Sequence, residues 1–103
     1  MINDYNDYLK DNLGIIKFIY DNDLINELEA GIVEANNIVN REGKQFRHSY
    51  YFSKIYDILN NNNLDKLKTS SIVNLVENSF NKTIRELVDD YKLYINEVQL
   101  WVL

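Results

Sequence analysis

Residues 71–102 read SIVNLVENSFNKTIRELVDDYKLYINEVQLWV, and this stretch decides the fold class. Its apolar residues are Ile72, Leu75, Val76, Phe80, Ile84, Leu87, Val88, Tyr91, Tyr94, Ile95, Val98, Trp101 and Val102. The steps between them are mostly three and four, the period of one helix face. Glu77, Lys82, Arg85, Glu86, Asp89, Asp90, Lys92 and Glu97 fall between them, on the opposite face. No Pro or Gly interrupts the run. Roughly thirty helical residues would span about 45 Å. That is long for a globular domain, so a bend or break is expected near residues 78–81. The expectation is one long C-terminal helix that serves as the wall for the rest of the chain.

Upstream, the same period recurs in shorter pieces. Residues 3–20 predict a first helix with the stripe Ile2, Tyr5, Leu9, Leu13, Ile16 and Tyr20, capped by Asn3 or Asp4. Gly14 inside it marks a close crossing or a break. Residues 24–40 predict a second helix, capped by Asp23, with the stripe Leu24, Leu28, Ile32, Ala35 and Val39. Gly31 marks a close approach or a weak point, and Gly43 is the stop signal. Residues 45–59 predict a third helix carrying Phe46, Tyr50, Tyr51, Phe52, Ile55, Ile58 and Leu59. The run of four Asn at 60–63 ends it, because Asn tolerates the left-handed backbone. A short helical turn is expected within residues 64–68, with Thr69, Ser70 or Ser71 capping the last helix. Residues 50–52 and 100–103 have strand-like composition but no accompanying hairpin turn. The reading is therefore all-α: one domain, residues 1–103, an antiparallel bundle of four helices, or five, around the long C-terminal one.

Composition narrows the function. The chain has 103 residues, no Cys, no Pro and a formal net charge of −5. No apolar run is long enough for a transmembrane helix, and the first residues lack the basic start and apolar core of a signal peptide. A cytoplasmic setting is expected. The 16 Asn, 12 Ile, 8 Lys and 8 Tyr share AT-rich codons, a bias often seen in mobile or phage-borne bacterial genes. Charge is uneven: residues 1–34 carry a net −6 and residues 41–54 a net +3. An acidic surface repels nucleic-acid backbone and attracts basic partners.

Chemistry is sparse. His48 is the only histidine, and without Cys it is poor material for a metal site. It reads as a partly buried structural residue. Asp4, Asp7 and Asp11 project from one side of the first helix and suit an acidic docking patch better than a magnesium perch. No glycine-rich phosphate loop exists. Arg41, Lys44, Arg47, His48, Tyr50 and Tyr51 interleave base and ring, a thin nucleic-acid footprint in an acidic chain. No catalytic residue, cofactor or metal is expected, and no enzyme activity. Eight Tyr exceed the needs of a helical core, and Tyr is enriched at protein interfaces. The expected partner-binding set is Asp4, Tyr5, Asp7, Tyr8, Asp11, Glu27, Glu34, Tyr50 and Tyr51.

A small, acidic, Tyr-rich, Cys-free helical chain resembles the immunity proteins of bacterial nuclease toxins, of the colicin and contact-dependent growth inhibition kind. The resemblance covers the whole chain in size, charge and helix count. Tyr50-Tyr51 is similar to the paired tyrosines of DNase-colicin immunity proteins. Here the pair follows His48-Ser49 and precedes Phe52, without the Pro after it and the acids before it that mark that family. The resemblance implies stoichiometric inhibition: acidic and aromatic groups cover the active site of a basic nuclease toxin and exclude its nucleic acid. A phage-encoded inhibitor of a host defence complex, of the anti-CRISPR type, would use the same mimicry. A self-associating helical regulatory module is the alternative from another class. Neither nucleic acid nor membrane is expected as a partner.

Overall fold

A computed structural model describes the backbone of residues 4–102 and the side chains of residues 4–97. The chain is all-helical, with no strand among the described residues. Six α-helices run in order: α1 Asp4–Asp11, α2 Leu13–Asp21, α3 Ile25–Glu42, α4 Arg47–Asn61, α5 Thr69–Glu77 and α6 Ile84–Val102. Short 3-10 turns at Lys44–Phe46 and Lys66–Lys68 precede α4 and α5. The expectations for Ile2, Asn3, Val98, Trp101 and Val102 fall outside the described residues or side chains.

The count exceeds four or five because two expected helices each break. The first breaks at Asn12, two residues before Gly14. This rotates the register of the second half: Ile16 and Ile19 are buried, whereas Tyr20, expected on the buried stripe, is half exposed beneath the Lys92 ammonium. The last breaks where it was expected to. Phe80 and Asn81 adopt left-handed backbone, φ +56° and +62°, and helix resumes at Ile84. A capping box restarts it. Glu86 N–H donates to Thr83 Oγ1 at 3.1 Å, and Thr83 N–H donates to Glu86 Oε1 at 2.9 Å.

The breaks share one device. Asn12, Asn22, Asn62 and Asn78 each stand directly after the last residue of a helix. Each Nδ2 donates to the carbonyl four residues back, on Tyr8, Phe18, Ile58 and Asn74, at 2.8 to 3.0 Å. Each of these carbonyls also accepts the backbone N–H of the same Asn, at 3.2 Å, so main chain and side chain close the helix end together. At two of the four ends a left-handed residue comes next, Asp23 after α2 and Asn63 after α4. The next amide then reaches back five residues, Leu24 to Ile19 at 3.1 Å and Leu64 to Leu59 at 2.9 Å. Asp23, expected to cap the start of α3, thus serves instead as the left-handed turn behind α2; Leu24 precedes α3 with no side-chain cap. Gly43 stops α3 as expected, at φ +123°.

α3 packs most extensively on α4, α4 on α5, and α6 chiefly on α2 and α3. Among the described residues the α3–α4 pair, rather than the C-terminal helix, is thus the most heavily packed. Gly31 makes this possible, since a Cβ there would lie 3.0 Å from Ile58 Cδ1. One contiguous core joins Leu9, Ile16, Ile19, Leu24, Leu28, Ala35, Tyr51, Ile55, Leu59, Ile72, Leu75, Leu87, Val88 and Tyr91.

Candidate functional site: an acidic concavity and its tyrosine clasp

α1 is eight residues long, and Leu9 is its only buried side chain. So short and polar a helix is not stable by itself. Its two tyrosines anchor it. Tyr8 donates its hydroxyl to the Leu75 carbonyl at 2.6 Å, and Tyr5 donates to Asp90 Oδ2 at 2.5 Å. Lys82 Nζ donates to the same Asp90 oxygen at 2.7 Å and lies 4.4 Å from the Tyr5 ring centroid. The Phe80 ring completes the cluster, with centroids 5.6 Å from Tyr5 and 5.3 Å from Tyr8. Left-handed backbone at a bulky residue costs on the order of 1–3 kcal/mol, and contact with these two rings offsets part of that cost.

The electrostatics come from the contacts. Burial, then the hydrogen bond and charge of Asp90, push the Tyr5 hydroxyl well above the ordinary tyrosine range. Burial pushes Tyr8 up to about 12. Partial burial works against the Asp90 carboxylate, but the hydrogen bonds from Lys82 and Tyr5 and the Lys82 charge outweigh it and hold its pKa below the ordinary value.

With α1 fixed, an open concavity of about 390 Å³ lies between it and the end of α5. Asp4, Asp7, Tyr8, Asp11 and Asn12 line it from α1, and Asn74 and Asn78 line it from the end of α5. Of the nine expected residues, the fold brings together Asp4, Asp7, Tyr8 and Asp11 here, with Tyr5 behind them in the clasp. It does not bring the others. Glu27 accepts from Asn62 Nδ2 at 3.1 Å, and Glu34 pairs with Lys54 at 3.0 Å; both are on α3. The tyrosine pair divides. Tyr50 points to Glu42, donating at 2.8 Å, a bond that raises its pKa. Tyr51 is buried and donates to Asn36 Oδ1 at 2.5 Å. His48, expected to be partly buried, has 63% of its side chain exposed, in the first turn of α4, with Nδ1 3.3 Å from Glu77.

No known protein family, no curated protein and no solved structure matches this chain. The chemistry of the site itself therefore has to carry its reading. Among the described residues, no group of three or more His, Asp or Glu is placed to hold a metal ion. No helix there is long and apolar enough to cross a membrane. Sequence reasoning misses Phe80, Lys82 and Asp90 as members of the clasp, although the capping signal Thr83-Ile84-Arg85-Glu86 marks where the helix restarts. It also misses Phe52 and Tyr56, which stack on the exposed side of α4 with centroids 6.3 Å apart.

Proposed function

We propose that this chain is a non-enzymatic, protein-binding inhibitor of the immunity type, acting in the cytoplasm on a cognate basic nuclease toxin. One observation carries the reading: Asp4, Asp7 and Asp11 frame a concavity whose wall, Tyr8, is tethered from behind to Leu75. A hollow of about 390 Å³ has room for a Lys or Arg side chain. Carboxylates around it supply charge-assisted hydrogen bonds and steer a basic partner into encounter. The antiparallel bundle expected from sequence would act as a rigid support for α1. A nuclease active site is rich in such cations because it binds phosphates, so an acidic face covering it excludes the substrate. An inhibitor of a host defence complex would engage its target through the same surface.

The self-associating module rests on a separate observation, the exposure of Leu67 at 88% and Leu93 at 63%. Affinity capture with the tagged chain, co-expressed with its neighbouring genes and washed at low and then high salt, separates the readings. Retention of one basic protein near one-to-one, released by salt, supports the inhibitor. Recovery of the bait alone as a salt-resistant oligomer rejects it in favour of self-association, and co-purifying nucleic acid rejects acidic mimicry.

A further inference from the structure

A second concavity lies elsewhere: an open groove of about 780 Å³ between α3, the start of α4 and the segment joining α5 to α6. Its size falls within the range of small-molecule sites. Ile32, Tyr51, Val76 and Ile84 give it an apolar floor, and Val33 and Phe80 stand at it with 60% and 50% of their surface exposed. Apolar side chains held open to water along one groove are the usual mark of a surface that is covered in use.

The charges of the groove are accounted for one by one. Glu29 faces the Arg85 guanidinium at 3.9 Å and accepts from its backbone N–H at 3.3 Å. Glu77 lies 3.3 Å from His48 Nδ1, a charge pair only when that ring is protonated, and Lys82 is held by Asp90. Arg47 alone has no ion-pair or hydrogen-bond partner for its side chain among the described residues. Lys44 and Arg41, three and six residues earlier, likewise make no ion pair among the described residues. The groove is therefore apolar along its floor, and at its wall stands a guanidinium without a partner among the described residues. Phe80, which also lines the groove, is presented by a left-handed backbone, uncommon for a bulky residue.

The geometry points to a binding site for a small organic anion: an apolar chain or ring seated on Ile32, Val76 and Ile84, with its carboxylate on Arg47. The groove adjoins the acidic concavity at Asn78 but shares none of its carboxylates, so the site stands or falls independently of the toxin-inhibitor reading.

Laurate below its micelle concentration is the probe, titrated into the full chain carrying labelled Ile and Val methyl groups and monitored by NMR. Saturable shifts at Ile32, Val33, Val76 and Ile84 are expected. Arg47→Gln should weaken binding about tenfold, the effect of losing one charge-assisted hydrogen bond. Lys10→Gln, which removes an exposed charge on α1, should leave it unchanged. Val33→Asp alters an exposed position, so it keeps the fold while placing a like charge at the groove, and should abolish binding. No saturation, shifts scattered over the surface, or equal weakening by Arg47→Gln and Lys10→Gln would overturn the proposal. So would shifts produced by a Leu-rich acidic peptide but not by laurate, which would make the groove a protein-docking surface.

Discussion

Tyr5 and Asp90 meet at 2.5 Å across 85 positions of sequence, so that the first helix is closed onto the last by a single shared carboxylate oxygen. The same oxygen accepts from Lys82. A phenol, a carboxylate and an ammonium thus satisfy one another where α1 meets the α5–α6 break.

Removing members of this cluster should have graded effects. Tyr5→Phe keeps the ring against Phe80 and loses one charge-assisted bond, a cost of about 1–2 kcal/mol. Asp90→Asn should cost at least as much, because Lys82 also loses its counter-ion. Urea unfolding of the two variants checks the order; a larger loss in Tyr5→Phe would refute it.

Stability should decline at both ends of the pH scale, for different reasons. Tyr8 is raised from 10.0 to about 12, so its contribution is complete below pH 10 and is lost as pH climbs through about 12. Tyr5 acts in the same direction. Asp90 is lowered from 3.8, so its contribution is complete above that value and is lost as pH falls below it. Thermal unfolding against pH should show a neutral plateau. Tyr8→Phe should flatten the alkaline fall and Asp90→Asn the acid one.

The glycines should respond with different signs. A Cβ at Gly14 meets nothing within 4 Å, so Gly14→Ala should stabilise by about 0.5–1 kcal/mol through helix propensity. At Gly31 the same gain is opposed by contact with Ile58, and Gly31→Ala should be near neutral. Gly31→Val adds bulk to that crossing and should destabilise by about 1–3 kcal/mol. Chemical denaturation distinguishes these outcomes.

The left-handed turn behind α4 offers a substitution with opposite outcomes at one position. Asn63 sits at φ +56°, so Asn63→Gly should be neutral or mildly stabilising. Asn63→Ala should lose about 1 kcal/mol. Equal stability of the two variants would show that the turn relaxes.

For the proposed function, Asp7→Lys and Asp11→Lys should weaken partner binding and flatten its salt dependence while circular dichroism stays helical. Both residues are exposed, which makes this a change of charge and not of packing. Unaltered binding would move the interface away from α1.

The helical class is legible because periodicity is a property of local sequence, and the buried positions Leu24, Leu28, Ala35 and Val39 fall on the stripe expected of them. The break at residues 78–81 is legible from length and from the Asn and Ser there. The break at Asn12 is not, since Gly14 draws attention two residues too late and the apolar period runs through both. Of the site, the grouping of Asp4, Asp7 and Asp11 is readable as one helix face. The inward use of Tyr5 and Tyr8 is not, because their acceptors, Asp90 and the Leu75 carbonyl, are far away in sequence and nothing local announces them. Composition marks Tyr51 as a partner contact, but its ring is buried and its hydroxyl is taken by Asn36 on another helix, α3.

The four asparagines that end α1, α2, α4 and α5 give this fold a chemical clock. Asn amides are among the thermolabile groups of proteins. Hydrolysis of any of them replaces a donor with a carboxylate, beside carbonyls that already carry the negative end of a helix. The group that held the end would then repel it. At Asn62 the new charge would also face Glu27, and at Asn12 and Asn78 it would enter a hollow already lined with Asp. Aged protein should therefore lose helix ends before it loses its core, with the slow covalent change written into the residues the chain uses as punctuation.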